Sequence, residues 1–359
     1  MGNQWGSKLR LSIFGESYGM GCGIVIDGLP PGIEIDMAAM TAALARRAPG
    51  GVLVSARRER DIPHLISGCF EGKSNGAPLT IVFHNEDVES NDYQFGCLRP
   101  GHGDYPAYVK YHGYNDYRGG GHLGGRLTAP LVAAGSIAAS WLEQRDIHIG
   151  CHFVELGGLH DEPWPADDIS ADELRRLKGE RLPLREKTLL TVAERLLDVA
   201  AKTHDSLGAV VEAAAINLPV GLGEPFFDSA ESIISSLLFA IPGIKGVEFG
   251  SGFGFASLNG SAAADEFYRR EDGGVGIRDN HNGGILGGLT SGAPLIVRAV
   301  FKPTSTLSGV TPLYNIGSGQ QLEPTGGDRH DPCIAVRGLV AVEAVLALAL
   351  MEMLLCSND

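Results

Sequence analysis

The sequence predicts a single α+β domain in which strands and helices are interleaved along the chain. Short apolar or alternating runs are typical of strands, and longer runs with apolar residues at helical spacing lie between them. No Pro/Ser-rich linker, charge block or strong short-period repeat divides the 359 residues, which are enough for one large domain with an ample apolar core. We therefore expect one domain over residues 1–359.

The individual elements follow from these patterns. The predicted strands are residues 21–27, 64–70, 77–83, 208–218 and 293–301. The predicted helices are residues 36–48, 128–145, 186–204, 228–240 and 333–355. Asp36 can cap the first helix, and prolines at positions 49 and 242 follow the first and fourth. We expect residues 163–185 to form a surface excursion.

Composition limits the classes of function. The formal net charge of −14 argues against nucleic acid as a partner, because binding to nucleic acid needs a basic face. An anionic small-molecule substrate remains compatible with this net charge, because a local cluster of arginines can bind an anion whatever the charge of the whole chain. Glycine, at 50 residues, has roughly double its usual share of about 7%, which indicates many positions of tight turning or close approach.

Cysteine usage and hydropathy indicate a cytoplasmic protein. The six cysteines show no CxxC spacing, so free thiols are expected. The first residues lack the charged region and apolar run of a signal peptide. The most apolar segment, residues 338–355, contains Glu343 and Glu352, which a membrane-spanning helix would bury in lipid at high cost. We therefore predict a core helix and no membrane contact.

Two other sequence patterns are not interpreted as binding sites. His148, Cys151 and His152 are ligand-type residues, but they lie on a strand-like run without a fourth partner, so we predict no metal site. The glycines of residues 19–23 and 250–254 lack the strand-to-helix context of a dinucleotide fingerprint, and bulged or closely packed strands explain them better.

The run RGGGHLGGR at residues 118–126 is the strongest candidate binding element. Its five glycines lie between Arg118 and Arg126, so exposed backbone and two flanking charges could surround an anion. A plain mobile loop is the alternative, and both interpretations stay open. In either case we expect Arg126 to be an exposed loop residue.

Six segments together resemble the chorismate synthase family. They are FGESYG (14–19), RPGHGD (99–104), DYRGGGHLGGRLTAP (116–130), NGGILGG (282–288), FKPTSTL (301–307) and GDRHDPC (327–333), and the resemblance extends from Gly2 to Leu355. It implies a β-α-β sandwich, with helices between two antiparallel sheets, assembled as a homotetramer. It also implies a carbon-oxygen lyase of the shikimate pathway of aromatic amino acid biosynthesis.

The family reaction defines the expected ligands. Phosphate is removed by 1,4-elimination from 5-enolpyruvylshikimate 3-phosphate to give chorismate, without net redox change but with a requirement for reduced FMN. NADPH would be needed only if the chain reduced its own flavin. Because the substrate carries a phosphate and two carboxylates, its site needs arginines, which pair with such groups in bidentate geometry.

The resemblance also implies roles for particular residues. Those at catalytic positions are His102, Asp331, Ser17 and Tyr18. Those at substrate-binding positions are Arg47, Arg99, Arg126 and Arg337. Those at flavin-binding positions are His122, Leu123, Gly124, Pro242, Gly243, Gly287, Lys302, Pro303, Thr304, Ser305, Thr306 and Arg329. Ordinary roles stay open for some of them: Arg47 suits a helix C-terminus, Asp331 could cap a helix, and Lys302 could simply end a strand.

The chain departs from the family at two places. Tyr18 replaces a histidine that assists the departing phosphate; a tyrosine can donate a hydrogen bond but supplies no imidazolium charge. Since general acid catalysis contributes about 10²- to 10⁴-fold, we expect slowing rather than abolition. His122, Leu123 and Gly124 replace Arg-Ser-Ser, and each lost phosphate contact is worth about 1.5 to 3 kcal/mol, so we expect weaker FMN binding.

These departures leave two alternative functions open. The chain could be a diverged paralogue with altered flavin use or substrate, or a catalytically silent member that binds a metabolite or another subunit. Retention of Arg47, Arg99, Arg126, His102 and Asp331 weighs against the silent alternative, because buried active-site charges are costly to keep without use.

Overall fold

The computed structural model describes residues 2–48, 59–88, 93–166, 168–271, 273–305, 307, 311–323 and 331–357. Its α-helices are α1 (Met37–Arg47), α2 (Asp104–Lys110), α3 (Thr128–Glu143), α4 (Ala171–Lys178), α5 (Leu190–Lys202), α6 (Ala230–Leu238) and α7 (Ala335–Ser357). Its longer strands are β2 (Arg10–Gly15), β3 (Gly21–Asp27), β4 (His64–Ser67), β7 (Leu79–His84), β9 (His148–Leu156), β11 (Ala209–Ile216), β12 (Ile244–Phe249) and β17 (Leu295–Phe301). Its short strands are β1 (Gln4–Trp5), β5 (Cys69–Phe70), β6 (Lys73–Ser74), β8 (Cys97–Leu98), β10 (Leu159–His160), β13 (Phe267–Arg269), β14 (Val275–Ile277), β15 (Ile285–Leu286), β16 (Leu289–Thr290), β18 (Leu313–Asn315) and β19 (Gln320–Leu322).

Two antiparallel five-stranded sheets enclose the central helices. The first has the order β1-β2-β3-β7-β4, and the second has the order β10-β9-β11-β17-β12. Helix α3 contacts β3 and β7 of the first sheet and β9 of the second, while α7 packs against α3, β9, β11 and β17. The predicted α+β sandwich, with helices between two antiparallel sheets, is therefore confirmed.

Most predicted elements form where the pattern placed them. Asp36 caps α1 as expected, since one carboxylate oxygen accepts 2.9 Å hydrogen bonds from the backbone N–H groups of Ala38 and Ala39. The predicted helix at residues 186–204 begins later, because a 3-10 turn at residues 187–189 precedes α5.

The expectation of a surface excursion at residues 163–185 is wrong in part. Helix α4 lies within this segment, and its Leu174 and Leu177 are fully buried. They join a second apolar cluster with Ala214 and Ile216, whereas the alternate residues of β11 face the main core. Because successive side chains of a strand point to opposite faces, the segment covers the outer face of the second sheet.

Helix α7 is a core helix, as predicted. By length and composition it could cross a membrane, but 89% of its most apolar window is buried inside the protein. Its two interior acids are both satisfied within the fold. Glu343 accepts from Arg46 at 2.7 Å, and Glu352 accepts from the backbone N–H groups of Ser7 and Leu9, each at 2.6 Å.

A buried ion pair joins strands β9 and β11 of the second sheet. His152 and Glu212 are cross-strand partners, both fully buried, with 3.0 Å between imidazole Nε2 and carboxylate Oε2. Asp161 lies 3.5 Å from Nδ1 on the other side of the ring, and Arg298 donates to Glu212 at 2.8 Å. His152 thus has a structural environment, and no group of three or more His, Cys, Asp or Glu among the described residues is placed to hold a metal ion.

The pairing of His152 predicts a pH-dependent stability. Burial opposes its charge, but the carboxylates of Asp161 and Glu212 outweigh burial and raise the pKa of His152. Because its pKa is higher in the folded state, His152 contributes its full stabilisation at pH values below the unfolded-state pKa of about 6.5. This contribution is lost as the pH rises through the folded-state pKa. The stability advantage of the native chain over His152→Gln should therefore be largest below about pH 6 and should shrink toward alkaline pH, as measured by urea unfolding across the pH range.

The control for this experiment is His160→Gln. The His160 side chain is 73% exposed and lies 4.0 Å from Glu155, so its replacement should leave the pH profile unchanged. A His152→Gln profile parallel to that of the native chain would contradict the prediction.

Candidate active site

A cavity of about 760 Å³ brings most of the predicted site residues together. This volume is in the range of ordinary ligand pockets, about 300 to 1,000 Å³. The predicted residues that line it are Ser17, Tyr18, Arg47, Arg99, His102, His122, Leu123, Gly124, Arg126, Pro242, Gly243, Lys302, Thr304, Ser305, Asp331 and Arg337. Segments distant in sequence thus form one site.

Four predicted flavin-binding residues are not among those lining the cavity. Gly287 lies in the turn between β15 and β16. Pro303 lies between Lys302 and Thr304, which do line the cavity, and packs near Gly208. Thr306 and Arg329 fall outside the described residues.

The glycine-rich loop packs tightly against two predicted catalytic residues. Gly119, Gly120 and Gly121 have φ values of 57°, 89° and 54°, which favour glycine. A Cβ on Gly119 would lie 2.2 Å from the Tyr18 ring, and one on Gly120 would lie 3.2 Å from the His102 ring. The glycines therefore allow the loop backbone to approach Tyr18 and His102 closely.

Hydrogen bonds fix this loop to the segment that follows β2. The backbone N–H and the hydroxyl of Ser17 both donate to the carbonyl of Gly121, at 3.0 and 3.1 Å. The loop is thus a packed, hydrogen-bonded turn in the cavity wall. Arg118, one of the two charges that could flank an anion, pairs with Asp116 at 2.8 Å and is not among the residues that line the cavity.

The family's Arg-Ser-Ser positions are occupied here by groups with other contacts. His122 Nδ1 lies 2.7 Å from the carbonyl of Gly15, and Nε2 lies 3.1 Å from the side-chain oxygen of Asn3. Both ring nitrogens are therefore engaged by the protein. A Cβ at Gly124 would lie 1.9 Å from the hydroxyl of Ser17, so that hydroxyl occupies the space that a larger residue would need.

Two of the predicted substrate-binding arginines are buried in a network with carboxylates. Arg47 is 1% exposed and donates to Asp61 at 2.9 Å, to the carbonyl of Gly125 at 2.9 Å and to the hydroxyl of Thr128 at 3.0 Å. Arg126 is 5% exposed and bonds the other carboxylate oxygen of Asp61. The expectation that Arg126 is an exposed loop residue is wrong, because the loop folds it inward onto Asp61.

The network extends to Arg337, a third predicted substrate-binding arginine, at the start of α7. Arg337 donates to the backbone carbonyl of Arg47 at 3.0 Å and to Asp331 at 3.0 Å. Burial and the nearby charge of Arg337 lower the pKa of Arg47 to about 9, although Asp61 opposes the shift. Burial opposes the charge of Asp61, but Arg47 and Arg126 outweigh it and lower the pKa of that carboxyl. Arg47 and Asp61 therefore both remain charged near neutral pH.

Sequence reasoning missed Asp61 and its neighbour Glu59. Glu59 lies 3.7 Å from Arg126 and accepts from the backbone N–H of Glu86 at 3.0 Å. The run Glu59-Arg60-Asp61 is an ordinary charged sequence, and its only distinctive feature, a φ of 51° at Asp61, is visible only in the structure.

Lys302 lies where β17 ends and contacts the loop that carries His102. Its ammonium donates to the carbonyl of Gly101, and its backbone N–H donates to the carbonyl of Gly243 at 3.0 Å. Lys302 therefore follows the end of a strand and also lines the cavity, and its role in binding flavin stays a prediction.

The Arg126 network predicts a large effect on stability. Arg126→Ala would leave buried carboxylates with one cation fewer, and breaking a buried pair costs about 3 to 5 kcal/mol. We expect a loss of that size in the free energy of unfolding, measured by chemical denaturation, in contrast to the small effect expected of an exposed residue.

Arg10→Ala is the matched control for Arg126→Ala. The Arg10–Asp27 pair is also charged and close, at 2.6 Å, but the side chain of Arg10 is 63% exposed, so its loss should cost no more than about 1 kcal/mol. Equal stability of the two variants would show that the buried network does not contribute as proposed.

Comparison with known proteins identifies the family of this chain. A sequence model of the family described as chorismate synthase matches residues 9–355. Chorismate synthases of Korarchaeum cryptofilum and Thermococcus kodakarensis are each 40% identical to this chain, over 98% of it and 97% of their own length. A crystal structure of a chorismate synthase superposes with a TM-score of 0.76 at 24% identity, covering 98% of this chain and 93% of the other, which supports the fold. The chain belongs to the chorismate synthase family.

Proposed function

We propose that this chain is a chorismate synthase, a lyase that eliminates phosphate from 5-enolpyruvylshikimate 3-phosphate to give chorismate. The observation that carries the proposal is the single cavity that holds His102, Ser17, Asp331 and four arginines at the family's positions. The match to the family over nearly the whole chain supports it.

The charges around the cavity suit a substrate with three anionic groups. Among the described residues that line it, the cations are Arg47, Arg99, Lys110, Arg126, Lys302 and Arg337, and the acids are Glu59 and Asp331. Arg47 and Arg126 are committed to Asp61, so they act on an anion mainly through their field. Arg337 pairs with Asp331 but keeps 19% of its side chain exposed, and the ammonium of Lys302 donates to a backbone carbonyl, so both are better placed to contact the substrate directly.

The cavity also fits a phosphorylated ring cofactor. Apolar side chains line it together with the cations, including Leu11, Ile13, Leu131, Ile241 and Phe301. Such a surface suits an aromatic ring system, while Lys302, Thr304 and Ser305 can hold a phosphate. Reduced FMN, when bound, would supply the electrons that the family reaction requires without net redox change. NADPH has a role only if the chain reduces its own flavin.

The chain's own residues have distinct parts in the proposed reaction. His102 can hold or release a proton in the cavity wall, and Tyr18 can donate a hydrogen bond to the departing phosphate. Asp331 and Ser17 are the remaining candidate proton carriers. The tight packing of the loop against Tyr18 and His102 keeps these two side chains in place.

The proposal includes a cytoplasmic homotetramer in the shikimate pathway, for which the family resemblance is the main support. All six cysteines lie in the described part of the chain and are free thiols, which suits a reducing compartment. Phe226 and Phe227, with ring centroids 6.5 Å apart, are 87% and 92% exposed, which suits an apolar surface that another subunit covers.

The direct test is phosphate release from 5-enolpyruvylshikimate 3-phosphate by the purified chain with reduced FMN, under anaerobic conditions. We expect chorismate and phosphate in equal amounts, and no turnover when FMN is oxidised. Tight binding of the substrate without turnover would favour the catalytically silent alternative.

Tyr18 provides a test of how the reaction proceeds. Its hydroxyl lies 3.4 Å from that of Tyr93, and its ring packs on Gly119 at the cavity wall. Tyr18→His would place a chargeable donor near the leaving phosphate, so we expect phosphate release to become about 10- to 10³-fold faster. Tyr18→Phe should be slower than the native chain, since it removes the donor.

The outcome separates a slowed chorismate synthase from a diverged paralogue. A native chain that works faster than Tyr18→His would mean that tyrosine is the adapted residue, and the account of a slowed enzyme would fail.

FMN affinity provides an independent test of the altered glycine loop. Because both ring nitrogens of His122 are occupied, the native chain should bind FMN weakly, and His122→Arg combined with Leu123→Ser should lower the Kd about tenfold or more. Adding Gly124→Ser should reverse part of this gain, because its Cβ would displace the Ser17 hydroxyl. Fluorescence titration measures the Kd, and full occupancy of FMN in the purified native protein would contradict the prediction.

A further inference from the structure

We propose that Asp104 is a positioning residue for His102: it holds a proton on imidazole Nδ1 and so reserves Nε2 for proton exchange with ligands in the cavity. The inference rests on the proposed function, since it gives His102 a defined protonation pattern for that reaction. Asp104 itself is not among the residues that line the cavity, and it acts through the histidine.

The geometry around Nδ1 favours one arrangement of the proton. Asp104 Oδ1 lies 2.7 Å from His102 Nδ1, and Arg99 Nη2 lies 3.1 Å from the same nitrogen. Guanidinium can only donate, so an unprotonated Nδ1 would accept from Arg99 but would face a carboxylate oxygen at close range without a proton between them. A protonated Nδ1 donates to Asp104, and the shorter of the two distances agrees with this arrangement.

Arg99 keeps the Asp104 carboxylate ionised and fixed in orientation. Asp104 Oδ2 accepts from the backbone N–H of Arg99 at 2.9 Å and from its Nε at 2.8 Å, and Oδ1 accepts from Nη2 at 2.7 Å. Burial opposes the charge, but the hydrogen bonds from Arg99 and His102 outweigh it and hold the pKa of Asp104 well below its usual range. The carboxylate is thus a permanent acceptor for Nδ1–H.

The other imidazole nitrogen faces the glycine loop. A Cβ on Gly120 would lie 3.2 Å from both Nε2 and Cε1 of His102, so any side chain at that position would crowd this edge of the ring. Gly120 also has a φ of 89°, which disfavours other residues. Glycine at position 120 therefore keeps side-chain atoms away from Nε2, and His102 lines the cavity.

The protonation pattern can be measured directly by ¹⁵N NMR of the purified full chain with labelled histidine. His102→Gln assigns the resonance of His102 among the 11 histidines. In the native chain we expect the neutral form of His102 to be the Nδ1–H tautomer. In Asp104→Asn a single amide oxygen must serve donors that now have two carboxylate oxygens, so the Nε2–H tautomer should become substantial. An Nε2–H tautomer in the native chain would overturn the inference.

Kinetics provides the second measurement. Replacing a histidine-orienting carboxylate with an amide lowers kcat by about 10⁴-fold in serine proteases, and we expect a loss of 10²- to 10⁴-fold for Asp104→Asn, with a smaller change in KM. If Asp104 acts through His102, adding Asp104→Asn to His102→Gln should cause no further loss of kcat. Fully additive losses would show that Asp104 acts by another route and would overturn the inference.

Glu343→Gln is the matched control. Glu343 makes the same kind of bidentate pair, with Arg46 at 2.7 and 3.1 Å, and neither residue lines the cavity. Its replacement should leave the His102 tautomer and kcat unchanged. An equal loss of kcat in both variants would mean that breaking a carboxylate–arginine pair explains the effect, and the inference would fail.

The two measurements separate this inference from the proposed function. An Nδ1–H tautomer that Asp104→Asn abolishes supports the role of Asp104 even if the native chain releases no phosphate, in which case the proposed function alone fails.

Discussion

One carboxylate shared by two buried guanidinium groups is the constraint on which the site depends. Asp61 bonds Arg47 at the end of α1 and Arg126 in the loop before α3. Arg47 in turn bonds the carbonyl of Gly125 and the hydroxyl of Thr128, and its own carbonyl accepts from Arg337 of α7. A buried charge without its partner is very costly, so these elements can adopt their native positions only together. The cavity wall is therefore fixed by electrostatics as well as by apolar packing.

This network changes what the arginines can contribute to binding. A guanidinium that already has two or three oxygen partners is rigid and costs little entropy to keep in place, but it has fewer donors to offer an anion. The cavity remains cationic because Lys302, Lys110 and Arg337 add charge that the buried acids do not fully balance. A protein with an overall charge of −14 can thus attract an anionic metabolite through a local field.

The departures from the family pattern are accommodated by local contacts. Tyr18 packs edge-on against Tyr93, with 5.2 Å between ring centroids, and the bare backbone of Gly119 makes room for its ring. His122 ties the loop to Gly15 and to Asn3 near the N-terminus. The substituted residues therefore stabilise the wall of the cavity. His102, Asp104 and Arg99 form a hydrogen-bonded group in the same wall, and Arg99 also lies over the ring of Tyr93, 5.6 Å from its centroid.

Periodicity and capping determined most of the secondary structure, because strand alternation, helical spacing and the cap at Asp36 are local properties of the sequence. The family motifs determined which residues gather at one cavity, and 16 of the 20 predicted site residues line it. Local sequence patterns did not predict the features that depend on contacts between segments distant in the sequence. The segment at residues 163–185 became part of a second core because β11 offers an apolar face on both sides. Asp61 and Glu59 carry no sequence signal that separates them from surface acids, and Asp104 is marked only as the last residue of the family segment RPGHGD. Only the tertiary structure decided that these acids lie beside arginines, because the identity of a charge's partner depends on which loops the fold brings together.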